Sequence, residues 1–99
     1  MDVAALQAQI STTFGSRDRA RGVDGTFRRL VEEVGELAKA IRSADQSALV
    51  LELTDVVAWT VSVASLYRID LDQALGRYAH GCPRCGTSPC VCPADGPVP

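Results

Sequence analysis

The feature that most constrains the fold is a long apolar stretch, from about Gln46 to Tyr67, with two acids near its centre. Most other residues in the stretch are apolar, so a helix here has apolar side chains on nearly all faces. Glu52 and Asp55 lie one turn apart on this helix, and burying unpaired carboxylates is costly. The stretch therefore predicts a largely buried helix whose two acids have a compensating partner.

A second acidic run precedes this stretch and contains Glu32, Glu33 and Glu36. Its helix, expected over about residues 24–43, carries an apolar stripe with i, i+3, i+4, i+7 spacing. Glu33 borders that stripe and Glu36 lies farther round the helix. Glu32 lies on the opposite side. The geometry therefore favours Glu33 and Glu36 as the inward-reaching acids of this run.

The short break at residues 43–46 predicts antiparallel helices, which would bring the two acidic runs to one level. Four carboxylates in a small volume need a cation or protons to compensate them. Hard oxygen ligands suit Mg²⁺ or Mn²⁺, and such sites commonly serve phosphates. The candidate ligands are Glu33, Glu36, Glu52 and Asp55.

The alternative for the first acidic run is a solvated helix face. Arg28 with Glu32, and Arg29 with Glu33, form i, i+4 pairs of the kind that stabilises exposed helices. The acids of the second run lie in an apolar helix, where this explanation does not apply. Together the two runs favour a metal site.

The composition favours one small all-α domain. The chain has 99 residues, of which 46% are hydrophobic and only 5% aromatic, as is typical of closely packed helices. We expect a compact antiparallel bundle of about four helices, over residues 3–14, 24–43, 46–67 and 71–79. The expected N-caps are Asp2 for the first helix, Asp24 or Thr26 for the second and Asp70 for the fourth. Because the chain is too short to cover every face of its apolar third helix, we expect the bundle to oligomerise.

Charge and hydropathy exclude several classes of partner. The net charge of −2 gives no reason to expect binding to a nucleic acid polymer. The first ten residues resemble no secretory signal, and the apolar run at residues 56–67 is too short to span a bilayer. We therefore expect a soluble, cytoplasmic protein with no membrane contact.

Residues 15–25 are rich in glycine and charge, and we expect them to break the helical pattern. They contain Arg17, Arg19 and Arg21 at alternate positions. The segment is either a solvated connector or a phosphate-facing arm beside the acids. Trp59 lies one turn after Asp55 on the same face, where it either fills the core or stacks on a ligand.

The composition changes abruptly at His80, where a stretch rich in Cys, Pro and Gly begins. The spacing Cys82-x-x-Cys85 and Cys90-x-Cys92 resembles a zinc ribbon or knuckle, and four thiolates match a tetrahedral structural Zn²⁺. The alternative is a disordered tail with reactive thiols or disulfides. We expect a helical domain at 1–80, a four-cysteine zinc tail at 81–93 and disorder at 94–99.

Residues 26–37 read TFRRLVEEVGEL, and ELTDV follows at residues 52–56. This pattern resembles the MazG-like all-α nucleoside triphosphate pyrophosphohydrolases, whose signature is EExxE followed at a variable distance by ExxD. Both halves of the signature are present, and the similarity covers about residues 10–80. The cysteine tail departs from the minimal catalytic unit of that family.

The resemblance implies a helical bundle that forms a dimer or a dimer of dimers and hydrolyses an NTP or dNTP to the monophosphate and pyrophosphate. It implies Mg²⁺ as cofactor and a role in removing unwanted nucleotides from the pool. The family's metal ligands carry over to Glu33, Glu36, Glu52 and Asp55, with Glu32 or Glu36 accepting the proton of the attacking water. An aromatic residue near Trp59 contacts the base in some relatives.

The sequence has no GxxxxGK[ST] loop, so phosphate binding would rest on the metal and on basic residues. The candidates are Arg17, Arg19, Arg21, Lys39 and Arg42. Two other functions remain open from the sequence. One is a nucleotide- or metal-binding module without turnover, and the other is a protein-interaction domain that docks through its zinc tail.

Overall fold

The computed structural model describes residues 1–94 and 96, and these residues form helices and irregular segments without a strand. Helix α1 spans Val3–Ser43, α2 spans Gln46–Leu66 and α3 spans Leu71–Ala74. A 3₁₀ turn over Leu75–Tyr78 follows α3. The all-α prediction is confirmed. The prediction of disorder concerned residues 94–99. Of these, residues 95 and 97–99 lie outside the described residues.

The prediction of about four helices is wrong: the described residues form three α-helices, because the first two expected helices are joined. Residues 15–25 are helical except at Gly22, where φ is 84° and ψ is 173° and the helix kinks. Glycine costs a helix only about 1 kcal/mol, so several glycines do not force a loop. An ion pair of 2.8 Å between Arg21 and Asp18, three residues apart, supports the segment before the kink.

An aspartate caps the start of each α-helix. The carboxylates of Asp2, Asp45 and Asp70 each accept a hydrogen bond from the amide three residues later, at 2.8, 3.2 and 3.2 Å. The predicted caps at Asp2 and Asp70 are confirmed. Asp24 and Thr26 are not caps, because α1 runs through them.

The kink at Gly22 allows both halves of α1 to pack along α2. In the first half, the Gln7 amide nitrogen donates to the Ser65 hydroxyl at 3.1 Å and to the Ile69 carbonyl at 2.8 Å. The second half joins α2 through a tight connection in which Ala44 adopts the left-handed conformation, with φ of 53°. The short connection makes α2 antiparallel to the second half of α1.

The single chain has a small core. The buried hydrophobic residues are Ile10, Ala40, Val61 and Ala64. Many larger apolar side chains of α1 and α2 remain about half exposed, among them Phe27, Val31, Val34, Leu51, Leu53 and Val57. Apolar area of this extent on a small protein marks an interaction surface.

By length and composition alone, α2 is apolar enough to cross a membrane. It has 21 residues, and the mean hydropathy of its most apolar window is 1.6. The apolar run at residues 56–67 forms the C-terminal half of α2 and its cap residue Tyr67, so it is shorter than the whole helix. Core helices of soluble proteins pass the same test, so this property does not decide the location of the protein.

Candidate active site and cysteine cluster

Three carboxylates meet between α1 and α2. Glu33 lies on the second half of α1, and Glu52 and Asp55 lie one turn apart on α2. One oxygen from each lies within 4.8 Å of the others. In antiparallel helices joined by two residues, positions at similar distances from the connection lie side by side. The acidic spacing in the sequence therefore becomes a cluster in space.

The cluster is short of positive charge and of hydrogen-bond donors. The pKa of Glu33 is raised to about 7, first because its carboxyl shares a proton with Glu52 and then because of burial and the nearby acids. Atom Oε2 of Glu52 is buried without a hydrogen-bond partner among the described residues. A buried carboxylate oxygen of this kind is costly unless a cation or proton compensates it. The donor set therefore fits a hard divalent cation.

The other two acids of the first run lie outside this group of three. Glu36 is exposed, one turn beyond Glu33, and its charge contributes to the raised pKa of Glu33. Glu32 is exposed and accepts a hydrogen bond of 3.3 Å from Arg29. The helix-face ion pair thus forms between Arg29 and Glu32 rather than between Arg29 and Glu33. Glu33 is left to face α2.

A cavity of about 400 Å³ borders the cluster and shares Asp55 with it. Its volume is in the range of small-molecule sites. On α2, Trp59 and Ser62 follow Asp55 at i+4 and i+7 and so line the same side. The remaining lining residues are Ile10, Phe14, Arg17, Asp18, Arg21, Arg29 and Ala58.

The basic residues predicted to bind phosphate have separate locations. Arg17 and Arg21 line the cavity, and the Arg21 guanidinium lies 4.9 Å from the centre of the Trp59 ring. Arg19 lines a second cavity, of about 350 Å³. Lys39 and Arg42 are exposed near the C-terminal end of α1 and line neither cavity.

Sequence reasoning missed Asp18, Arg29 and Ser62 as lining residues of the cavity. Asp18 lies in residues 15–25, which were expected to form a loop, although its i, i+3 spacing to Arg21 is a helical signal. Ser62 continues the face of Asp55 and Trp59, and this periodicity was readable from the sequence.

The four cysteines form a second cluster of potential ligands, with their sulfurs within 4.8 Å of one another. The sulfurs of Cys82 and Cys92 are 3.8 Å apart, and those of Cys85 and Cys90 are 3.9 Å apart. All four are free thiols. A tetrahedral zinc site with Zn–S bonds of about 2.3 Å requires sulfurs about 3.8 Å apart. The cluster therefore has the spacing of a four-thiolate zinc site.

The backbone around the cysteines favours thiolates. The Thr87 hydroxyl and the amides of Val91 and Thr87 lower the pKa of Cys85 to about 5. The amides of Cys85 and Arg84 lower the pKa of Cys82. A thiolate is the form that binds a metal, so the turn is prepared for one at Cys82 and Cys85. The pKa of Cys92 is instead raised to about 12, first by its hydrogen bond with Cys90 and then by burial and the other sulfurs.

Two glycines shape the turn that holds the cysteines. Gly81 and Gly86 have φ of 113° and 76°, and the Gly86 amide donates to the Cys82 carbonyl at 2.7 Å. A Cβ at Gly81 would meet the Thr87 carbonyl at 2.8 Å. His80 is exposed and is not part of the group of four.

The class of the protein follows from comparison with known proteins. The family model of the MazG nucleotide pyrophosphohydrolase domain matches residues 21–82, which include both acidic runs and end at Cys82. The chain belongs to this family of nucleotide pyrophosphohydrolases, as its resemblance in sequence implied.

One relative is named for the nucleotides on which it acts. The chain is 34% identical over 73 residues to a dATP/dGTP diphosphohydrolase of Cyanophage S-2L. The match covers 74% of this chain and 66% of the relative, slightly less than two thirds of its length.

Proposed function

We propose that this protein hydrolyses a nucleoside triphosphate to the monophosphate and pyrophosphate, with Mg²⁺ or Mn²⁺ as cofactor. The observation that carries the proposal is the cluster of Glu33, Glu52 and Asp55 at the edge of a cavity lined with arginines and a tryptophan. When bound, the cation supplies positive charge that polarises the phosphate oxygens and an attacking water molecule.

The residues of the chain have separate roles in this proposal. Glu33, Glu52 and Asp55 hold the cation, and the raised pKa of Glu33 means that cation binding releases a proton near neutral pH. Glu36, one turn beyond Glu33, remains the fourth acid proposed as a ligand of the cation. Glu36 or Glu32 accepts the proton of the water that attacks the α-phosphorus, and pyrophosphate leaves.

Basic residues of the cavity bind the phosphate chain. Arg17 and Arg29 line the cavity and are exposed, so their guanidinium groups are accessible to anionic oxygens. Arg21 is held by Asp18 and covers Trp59. Trp59 is half-buried and lines the cavity, and its proposed role is to stack on the nucleobase.

We infer a purine deoxynucleoside triphosphate as the substrate class. The dATP/dGTP diphosphohydrolase of Cyanophage S-2L supports this choice by its name. A purine also offers a larger surface than a pyrimidine for stacking on Trp59.

The test is a panel of the common NTPs and dNTPs, with pyrophosphate and orthophosphate measured separately in the presence of Mg²⁺. We expect pyrophosphate as the product, with purine deoxynucleotides as the best substrates. Release of orthophosphate, or no turnover of any nucleotide, would contradict the proposal.

We further propose that Cys82, Cys85, Cys90 and Cys92 hold one structural Zn²⁺. Four thiolates leave no open position for water, and soft sulfur ligands select zinc over magnesium. Residues 81–93 then form a metal-ordered tail on a catalytic domain at 1–80. Val91 is exposed, so the tail has no apolar core that could order it without the metal.

The assembly we propose is a homodimer or a dimer of dimers in the cytoplasm. The half-exposed apolar side chains of α1 and α2 are the surface that a second copy would cover. Lipid is a poor alternative partner for α2, because Glu52 and Asp55 lie near its centre. Light scattering at micromolar concentration tests the assembly, and a monomer would contradict it.

A further inference from the structure

Two buried polar residues lie on the cavity wall beyond Trp59. Asp18 on α1 and Ser62 on α2 are each only 4% exposed. Both line the cavity of about 400 Å³ beside the carboxylate cluster, and both also line the second cavity, of about 350 Å³. Buried polar groups that face a cavity are the groups that orient a ligand.

The positions of these residues along α2 match the layout of a nucleotide. Asp55, Trp59 and Ser62 follow one another on one face of the helix. At 1.5 Å per residue, Ser62 lies about 10 Å along the axis from Asp55. A phosphate at the carboxylate cluster therefore places the base beside Trp59, with one edge toward Ser62 and Asp18.

The carboxylate of Asp18 is only partly used by the protein. Its Oδ1 accepts a hydrogen bond of 2.8 Å from Arg21, whereas Oδ2 accepts none from the described residues. A carboxylate has about four lone-pair sites and no donor. The unused sites therefore favour a ligand that presents N–H groups and disfavour one that presents a lone pair.

We propose that Asp18 is a specificity residue that selects guanine, a proposal that rests on the function proposed above. Guanine presents two adjacent donors, the ring N1–H and the 2-amino group, to a carboxylate. The matching edge of adenine has an unprotonated N1 beside its amino group, so a lone pair would face Asp18. The Ser62 hydroxyl can donate to the guanine carbonyl oxygen.

Asp18 has another possible role, which is only to hold Arg21 over Trp59. Arg21 donates to Asp18 at 2.8 Å and to the hydroxyl of Thr26, which is fully buried, at 3.3 Å. Loss of this role would weaken the binding of every nucleotide alike. Loss of base recognition would change the ratio between nucleotides. The ratio therefore separates the two roles.

The first experiment measures kcat/KM of the wild-type protein for dGTP, dITP and dATP. The base of dITP keeps the N1–H donor but lacks the 2-amino group, so we expect the order dGTP, dITP, dATP. A hydrogen bond to a charged group contributes about 1.5–3 kcal/mol, so dGTP should exceed dATP by about 10- to 100-fold. Equal rates for the three nucleotides would overturn the proposal without any variant.

The second experiment repeats the series with Asp18→Asn and, as matched control, Arg21→Ala. Asn keeps the size of Asp but adds an amino group that opposes the donors of guanine. We expect Asp18→Asn to lower the dGTP/dATP ratio about 10-fold or more. Arg21→Ala should lower kcat/KM for all nucleotides and leave the ratio unchanged. A uniform loss in both variants would reduce Asp18 to a positioning residue for Arg21.

A binding measurement keeps this proposal separate from the proposed reaction. Trp59 is the only tryptophan of the chain, so its fluorescence reports on the cavity alone. We expect dGTP to quench it at lower concentration than dATP, with Ca²⁺ in place of Mg²⁺ to slow turnover. If no nucleotide is hydrolysed, the proposed function fails, and this titration still tests base selection. If dATP and dGTP reach half-maximal quenching at the same concentration, the role of Asp18 in base selection is overturned.

Discussion

The carboxylate cluster and the cysteine cluster each bring ligand atoms within 4.8 Å of one another, but the protein builds them in different ways. The carboxylates come from two long helices, and their approach depends on how α1 packs against α2. The cysteines all lie within residues 82–92, and turns at glycines bring them together. One cluster depends on the tertiary fold and the other on local backbone geometry.

This difference extends to the chemistry of the two clusters. The carboxylates are hard ligands and are few enough to leave positions for water and phosphate, as a catalytic site requires. Four sulfurs close the coordination sphere of a tetrahedral metal, as a structural site requires. We therefore expect the two sites to bind different metals, and we expect loss of the metal from one site to leave the other site intact. Independent sites predict that each substitution below changes one site and leaves the other unchanged.

The largest effect should come from Glu52→Gln and Asp55→Asn. Each variant removes a charge that holds the cation, so we expect pyrophosphate release to fall by about 100-fold or more. Zinc content and helical circular dichroism should stay at wild-type values. Asp72→Asn is the control: Asp72 is an exposed acid on α3 that lines neither cavity, and its loss should leave the rate unchanged. Near wild-type rates in both ligand variants would place the metal elsewhere.

The converse experiment removes the sulfur ligands. The double variant Cys82→Ser/Cys85→Ser should lose its zinc and exchange amide hydrogens faster over residues 80–93, because the tail depends on the metal for order. Pyrophosphohydrolase activity should remain within about twofold of wild type, since no thiolate takes part in catalysis. Arg84→Ala, between the two cysteines, is the control and should keep its zinc. Loss of activity in proportion to loss of zinc would show that the two sites are coupled.

A pair of glycine substitutions in α1 tests the dependence of the carboxylate cluster on the helices. Among the described residues, a Cβ built at Gly22 or Gly35 would meet nothing within 4 Å beyond its chain neighbours and its own helix backbone, but only Gly22 of the two has a positive φ, of 84°. Gly22→Ala should therefore lower the free energy of unfolding by about 1–2 kcal/mol through backbone strain. Gly35→Ala lies in regular helix and should raise it by up to about 1 kcal/mol.

Both variants should keep the zinc of the tail, because neither touches the local turns that hold the cysteines. Denaturant unfolding and metal analysis of the same samples check this pair. Destabilisation by Gly35→Ala would instead indicate that a helix of a second copy packs against Gly35. Equal effects of the two substitutions would contradict the assigned strain at Gly22.

The smallest effect is the pH dependence of stability in metal-free buffer. The pKa of Glu33 is about 7 in the folded protein and near 4.5 in the unfolded chain, so the folded state binds more protons between these values. The free energy of unfolding should therefore fall as pH rises from about 4.5 to 7. Mg²⁺ or Glu33→Gln should flatten this slope, and an unchanged slope in Glu33→Gln would contradict the assignment.

Much of the fold was predictable from the sequence because its signals are local. The apolar stretch defined α2, and aspartates at positions 2 and 70 marked helix starts. The break at residues 15–25 was mispredicted, because glycine lowers helix propensity without forbidding a helix. Only the positive φ of Gly22 interrupts α1, and a sequence pattern does not reveal which glycine adopts it.

The sites were predictable to different depths for the same reason. The cysteine spacing indicated its own cluster, since the whole cluster lies in one short segment. The acidic spacing predicted that the two runs meet and that Glu33 and Glu36 both reach inward, but only Glu33 joins the group of three. Glu33 lies in the cluster and Glu36 lies outside it, because the rotation of α1 is set by packing. Asp18 escaped notice because its burial depends on contacts made only in the folded chain.

The most direct test of two independent sites measures metal content and activity on one sample. Gel filtration into metal-free buffer removes weakly held hard cations but leaves zinc in a thiolate cage. We expect this sample to contain about one zinc per chain, to be inactive, and to regain pyrophosphate release on titration with Mg²⁺ while its zinc content stays constant. Activity in the zinc-only sample, or recovery that requires added Zn²⁺ rather than Mg²⁺, would contradict the assignment of catalysis to the carboxylate cluster.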